Sequence, residues 1–321
     1  MKVLLTGAFG NLGIIVLQRL LDQGHTVTCL DVNNPKNARF AATVRGDFAI
    51  QWGDIRNQEM VNALVQGQEA IIHLAAIVPP LSEHNATLAE QVNVQGTETL
   101  VRAAETSALK PVFVFASSFA VYGEGQDKTT IRTAEDPKIA SEIDVHYSLH
   151  KIACEELITS SSANWVILRI GAMIDSRLRH SSRKQQKMAF DIASDTRVDF
   201  IHPINASIAF VNAIKTPEAL SKVLLLSGGA SCHITYLQLM NATTEAMGIT
   251  LTDSCFGNVR TYFDWMDGTE AERILAYQKI SFADFCQECR DRFKWIRFFV
   301  KPFSPLIIKC FPLYIKWLNR K

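Results

Sequence analysis

The chain lacks any long uncharged apolar run. A membrane-spanning helix needs about 20 consecutive apolar residues, so none is expected. No secretory leader is expected either, because Met1 and Lys2 are followed by a short apolar run, 3–5, and then a glycine-rich turn. Net charge is nearly absent: 33 Lys and Arg face 32 Asp and Glu, and a formal charge of +1 argues against nucleic acid as the partner. The seven cysteines, at 29, 154, 232, 255, 286, 289 and 310, are odd in number and scattered. That excludes a disulfide framework and suits reduced thiols in a cytoplasmic enzyme. Cys286 and Cys289 form one CxxC in a helical stretch. A zinc site would need a second pair or nearby histidines, so no metal is expected. Internal repeats and low-complexity linkers are also missing.

What remains is a chain of 321 residues, 48% of them apolar, with material for a substantial core. Its length suits one large or two closely joined domains. The near-neutral balance hides an asymmetry. Residues 290–321 hold nine Lys and Arg against the single acid Asp291, so this tail carries +8 and the rest of the chain −7.

Over the first 170 residues, short apolar runs alternate with amphipathic stretches. Strands are expected at 2–6, 26–30, 49–52, 70–74, 112–116 and 165–169, and helices at 12–23, 57–65, 88–106 and 145–160. Continuous apolar strands separated by helices mean parallel strands covered on both faces. With right-handed crossovers they form a Rossmann-type doubly wound α/β sheet. Beyond residue 170 the pattern loosens into a smaller substrate lobe, mainly 171–290. Returns to the main sheet are expected over 201–214 and 222–226, a polar loop or lid over 175–186, and a helix from Thr235. The basic run 177–187 suits either an anion clamp or a solvated loop.

Gly7, Gly10 and Gly13, in Thr6-Gly7-Ala8-Phe9-Gly10-Asn11-Leu12-Gly13, sit between the first strand and the first helix. Glycines there permit a tight turn and close approach of backbone to a pyrophosphate, which the helix N-terminus attracts. Asp31 ends the second strand, placed to accept hydrogen bonds from a ribose and to repel a 2′-phosphate, so NAD is expected over NADP. Arg39 and Arg45, further on, would soften that choice. Asp54 suits the adenine edge or the cap of the helix near Asn57. Phe9 and Trp52 read as packing residues.

Tyr147 and Lys151 lie four apart on one helical face. An ammonium beside a phenol favours the phenolate and so makes a usable base near neutral pH. Ser117 and Ser118 stand at the carboxyl end of the fifth strand, where ligands bind in such sheets and where a hydroxyl can hold a substrate oxygen. His146 and His150 flank this group, as proton relays or as packing histidines.

Taken in order, TGAFGNLG, Asp31, HLAA at 73–76, NVQGT at 93–97, SSFAVYG at 117–123 and YSLHK at 147–151 resemble the extended short-chain dehydrogenase/reductase family, also called the NAD-dependent epimerase/dehydratase family. The match in order and spacing covers residues 1–170, with weaker echoes to about 285. The resemblance implies an NAD-dependent enzyme with Tyr147 as acid/base, Lys151 as its tuner and ribose ligand, and Ser118, rather than Ser117, as the hydroxyl partner. It also implies a cofactor lining from Gly7, Phe9, Gly10, Asn11, Leu12, Gly13, Asp31, Asp54, Ile55, Leu74, Ala75, Ala76, Asn93 and Ala116, besides Tyr147 and Lys151. The departures lie on the substrate side. Ala172 stands where sugar-nucleotide members carry Asn, His150 where they carry Ser, and Asn205 where they carry Asp.

Three functions stay open: an epimerase or dehydratase acting on a carbinol carbon, as in a nucleotide sugar; a dehydrogenase or reductase of a hydrophobic alcohol or ketone; and a non-catalytic NAD-binding regulator. The expected partners are a small-molecule substrate and a second copy in a homodimer. The tail, 291–321, interleaves aromatics with Lys and Arg, and Pro302, Pro305 and Pro312 are expected to cut it into short pieces. It suits peripheral contact with an anionic membrane, or an arm packed on the enzyme.

Overall fold

In the first strand, Val3 and Leu5 point to one side and Leu4 to the other, and all three are fully buried. Such a strand needs a helical layer on each face. The computed structural model, which describes residues 1–124, 129–177 and 182–318, has both. The strands are β1 (Lys2–Thr6), β2 (Thr26–Asp31), β3 (Ala49–Trp52), β4 (Ala70–His73), β5 (Val112–Ser118), β6 (Asn164–Ile170), β7 (Ala172–Met173), β8 (Arg197–Ile201), β9 (Lys222–Leu226) and β10 (His233–Thr235). Seven form one sheet in the order β3-β2-β1-β4-β5-β6-β9, with every pair parallel.

On one face, Val3 and Leu5 pack with Val16, Leu17 and Leu20 of the helix Gly13–Asp22, and with Ala206, Ala209 and Phe210. On the other, Leu4 and Ile71 pack with Leu100, Cys154 and Ile158, from the helices Gly96–Thr106 and Val145–Thr159. The strand order turns back between β1 and β4. A crevice opens there, at the carboxyl ends of the strands.

The remaining strands form a second sheet, in the order β10-β8-β7. Its core joins Phe200, Tyr236, Met266, Phe285 and Phe293, with Phe200 and Phe285 rings 4.7 Å apart.

Several expectations need correction. Residues 201–214 are not a strand return. After β8, His202 caps the helix Pro203–Ala213, and Pro203 occupies its first turn. Buried positions 206, 209, 210 and 213 have helical spacing, which a short apolar run conceals. Asn205 on this helix accepts from the Lys279 and Ile280 amides at 3.0 Å, fastening a remote loop. The stretch 88–106 is one helical run interrupted by a widened π turn, Gln91–Gln95. Within the basic run, 178–181 lie outside the described residues. Residues 175–177 are loop as expected, but from 183 on the run is helical: Ser182 caps the helix Arg183–Asp191.

The tail is not short pieces either. A 19-residue helix, Phe282–Val300, runs unbroken across the expected boundary at 290/291. It turns at Lys301–Phe303 and continues as Ser304–Leu318, with Pro312 inside. Residues 302 and 305 mark the turn, as prolines should; Pro312 costs one backbone hydrogen bond without ending the helix. Cys286 and Cys289, one turn apart on the first of these helices, are free thiols.

Candidate active site

The glycine turn fits its place by backbone geometry alone. Gly7 has φ +67°, and a Cβ there would stand 2.7 Å from the Ala75 amide nitrogen. A Cβ on Gly13 would stand 2.1 Å from the Gly7 carbonyl oxygen. Both separations are too short for a side chain, so the turn lets β1, the helix start and the 74–76 loop come together. At the start of the helix Gly13–Asp22, the Ile14 and Ile15 amides donate back to the Gly10 and Leu12 carbonyls at 3.2 and 3.0 Å.

A cavity of about 380 Å³ lies beside this turn, lined by Gly7, Gly10, Asp31, Asp54, Ile55, Leu74, Ala75 and Ala76. The sequence pattern did not single out Asn37, Gly53, Arg56 and Ile77, which also line it. Asp31 is held rigidly. It accepts from the Phe9 amide (2.9 Å), the Val32 amide (2.8 Å) and the Asn37 side chain (3.0 Å). Burial nevertheless raises its pKa, against these donors. An ionised carboxylate has about four acceptor sites, so capacity is left for a ribose hydroxyl. Asp54 bonds Arg56 at 2.6 Å, and Asn57 caps the helix Gln58–Val65. The capping role expected for Asp54 is therefore wrong. Arg39 and Arg45 do not line the cavity, and the one cation among its described lining residues, Arg56, is paired with Asp54. The surroundings thus fit a dinucleotide without a 2′-phosphate.

Other expected lining residues stand elsewhere. The Phe9 side chain is buried against Trp52, with ring centroids 5.2 Å apart. Leu12 is the residue before the helix. Asn11 lines a separate cavity of about 330 Å³ with Met173, Asp175, Arg177 and Pro203. Asn93 sits one layer behind the crevice. Its amide exchanges hydrogen bonds with the Ile77 backbone at 2.7 and 2.9 Å, fixing the 74–77 loop. His73 ties β4 to its neighbours through Thr6 (2.7 Å) and Thr97 (2.9 Å). Burial pushes its pKa down to about 3, so it is neutral.

Ser118 ends β5, its hydroxyl accepting from the Ala120 amide at 3.2 Å, and the Tyr147 phenol lies near enough for that hydroxyl to act on its pKa. Lys151, one turn beyond Tyr147, donates from Nζ to the Ala116 carbonyl at 2.5 Å. The same nitrogen stands 4.5 Å from the Phe115 ring centre and 5.8 Å from that of Tyr147. Burial pushes the Tyr147 phenol up to about 12, partly countered by Ser118. Burial also lowers Lys151, to about 8. Ser117 faces away. It donates to Glu155 at 2.5 Å, and Glu155 pairs with Arg169 at 2.7 Å in a buried network that reaches the Tyr122 hydroxyl.

The start of the Tyr147 helix is held by a residue that no local pattern announces. Glu83 accepts from the His146 and Tyr147 amides at 3.1 and 3.0 Å, where an anion complements the helix dipole. His150 is buried, its Nδ1 3.4 Å from the Asn93 side chain, and burial lowers its pKa. Next to Ser118, Phe119 stacks on Phe263 (5.4 Å) and meets Tyr262 edge-on (5.3 Å). Tyr262 donates to the buried Asp144 at 2.7 Å. These rings pack in the core of the smaller lobe, beside the end of β5. Among the described residues no group of three His, Cys, Asp or Glu is placed to hold a metal ion.

The model of the NAD dependent epimerase/dehydratase family matches residues 3–204, well over half of the chain. The chain belongs to this family. Among curated proteins, it is 35% identical over 134 residues to a 3-beta-hydroxysteroid dehydrogenase of Mycolicibacterium neoaurum, covering 39% of this chain and 34% of that protein. It is 33% identical over 137 residues to a UDP-glucose 4-epimerase of Klebsiella pneumoniae, covering 39% of this chain and 94% of that sequence. The match thus spans only about a third of the dehydrogenase's length. Among solved structures, a UDP-glucuronic acid 4-epimerase mutant of Bacillus cereus, in complex with NAD, superposes with a TM-score of 0.77 at 20% identity, covering 92% of this chain and 100% of that one. A UDP-glucose 4-epimerase of Stenotrophomonas maltophila gives 0.74 at 22% identity, covering 94% and 99%. At such identities the likeness establishes a fold shared with family members.

Proposed function

We propose that this family member is an NAD-dependent oxidoreductase of the epimerase/dehydratase type, acting on a carbinol carbon. The observation that carries the proposal is the convergence of Ser118, Tyr147 and Lys151 at the carboxyl end of β5. NAD, held by the Gly7–Gly13 turn and Asp31, supplies a hydride acceptor and a positively charged ring. The Ser118 hydroxyl donates to the substrate oxygen and fixes its position. Tyr147 Oη takes the proton from the substrate hydroxyl and gives it back in the reverse direction. A phenol at about 12 is a poor base, so positive charge must be brought to it. The Lys151 ammonium lies on the same helical face for that purpose and can turn from the Ala116 carbonyl toward a ribose. Asn93 and Glu83 act by positioning, one through the 74–77 loop and the other through the Tyr147 helix.

Two substrate classes fit. The fold shared with sugar-nucleotide epimerases supports a nucleotide sugar. The aromatic cluster of Phe119, Tyr262 and Phe263 beside Ser118, and Ala172 in place of a polar residue, favour a hydrophobic alcohol. A purely regulatory role is the weaker reading, because the whole Ser-Tyr-Lys group is assembled. Mass spectrometry of ligands released from the native protein, followed by assay of UDP-sugars and sterol alcohols with NAD, tests the proposal. Retained NAD with turnover in either class supports it. No NAD binding by calorimetry, with no turnover in either class, overturns it.

A further inference from the structure

The helix Phe282–Val300 has two unlike faces. Phe285, Cys289 and Phe293, four residues apart, are buried in the core of the smaller lobe. Trp295, Phe298 and Phe299 are 70%, 70% and 67% exposed. At about 100° per residue, Phe298 lies directly across the helix axis from the buried row, with Trp295 and Phe299 on its flank. The second helix, Ser304–Leu318, repeats the division. Phe311 and Tyr314 pack on Phe190, with ring centroids 5.1 and 6.2 Å apart, and Leu318 is buried. Leu306, Leu313 and Trp317 are exposed, as is Phe303 at the turn between the helices. The earlier alternatives for the tail, membrane contact or packed arm, therefore apply to opposite faces of the same helices.

Cations follow the exposed stripe. Lys294 on the first helix and Lys301 at its C-terminal cap, and Lys309 and Lys316 on the second, stand seven residues apart, about two helical turns, so each pair lines one edge of its own helix. Arg290 and Arg297 fall on the same edge of the first helix. One acid, Asp291, lies among them and is hydrogen-bonded by Gln287. A groove of about 550 Å³ runs along this edge between the first helix and Tyr236–Thr244, lined by Phe282, Cys286, Glu245, Arg290, Lys294 and Arg297.

We propose that this face lies in the headgroup layer of an anionic phospholipid membrane, with Trp295, Phe298 and Phe299 reaching the acyl boundary and the lysine edges on the phosphates. Charge selects the occupant. A second copy would bring two lysine edges together, whereas an anionic bilayer supplies the opposite sign. The body's −7 against the tail's +8 would also turn the tail toward such a surface. The stretch Phe282–Leu318 is long and apolar enough to cross a membrane by length and composition, but the turn at Lys301–Phe303 and the packing of Phe311 and Tyr314 on Phe190 favour a surface position.

Co-sedimentation of the full chain with phosphatidylcholine vesicles, and with vesicles that also contain phosphatidylglycerol, tests this directly. The native protein should pellet with the anionic vesicles at low salt, stay in solution with the neutral ones, and be released by high salt. The variants Trp295→Ala/Phe298→Ala/Phe299→Ala and Lys294→Gln/Lys301→Gln/Lys309→Gln/Lys316→Gln should each partition at least about ten-fold more weakly. Their melting temperature and NAD affinity should be unchanged, because the altered side chains face away from the core and lie outside the proposed NAD site. Native protein left in solution with anionic vesicles at low salt overturns the proposal. So does salt-resistant binding, native-like binding by the aromatic variant, or a native dimer that the aromatic variant converts to monomer.

Discussion

The proposed cofactor side and the proposed substrate side of the crevice are made from different materials. The first is mainly backbone: Gly7 and Gly13 have no room for a side chain, and Asp31 is fixed by two amides and Asn37. The second is side chains brought from distant segments. Ser118 comes from β5, Tyr147 and Lys151 from one helix, and the aromatic cluster beside them from 119 and 262–263. A site made of backbone is tied to a few local residues, whereas one made of side chains can change its occupant while the frame stays. That matches the departures at 150, 172 and 205, all of which lie outside the phosphate turn.

Substitutions can break or sharpen this contrast. The largest loss of stability should come from Glu155→Ala. It leaves Arg169 charged and buried without its partner and should cost about 3–5 kcal/mol, read by chemical denaturation. Gly13→Ala should cost about 1–3 kcal/mol through overpacking against the Gly7 carbonyl and weaken NAD binding with it. Retained NAD affinity would show that the turn tolerates side chains and would erase the contrast. The serine pair separates the two roles. Ser118→Ala should lower kcat about ten-fold or more with little change in melting, whereas Ser117→Ala should cost about 1 kcal/mol of stability and spare kcat. Asp31→Ala should narrow the preference for NAD over NADP in calorimetric titrations. If the native protein binds NADP equally well, Asp31 has no such role.

A separate effect concerns pH. His73 titrates near 3 when folded, well below its unfolded value of about 6.5. The unfolded chain therefore binds the extra proton first, and stability is lost as pH falls from 6.5 toward 3. Relative to the native protein, His73→Asn should show a shallower fall of melting temperature over that range.

Much of the large sheet was legible because its signals are local. Apolar runs of four to seven residues mark six of the seven main strands, and the seventh, β9, was expected near 222–226. The phosphate turn was legible for the same reason. The smaller lobe was less so. In 201–214 an apolar run hid a helix, since short apolar stretches fit either period. Glu83 was invisible because it caps a helix more than 60 residues away, and Asn37 because only the fold brings it to Asp31. Asn93 was expected to line the cofactor and instead holds the loop that does. In the tail, the prolines suggested breaks, but packing on Phe190 sustains a helix through Pro312.

The most direct test of the central claim compares native protein with Tyr147→Phe on whichever substrate the NAD assays identify, following turnover and NAD affinity together. Loss of only the transferable proton should cut kcat about 10²- to 10⁴-fold and leave the NAD dissociation constant within about two-fold. Near-native turnover by Tyr147→Phe would contradict the account.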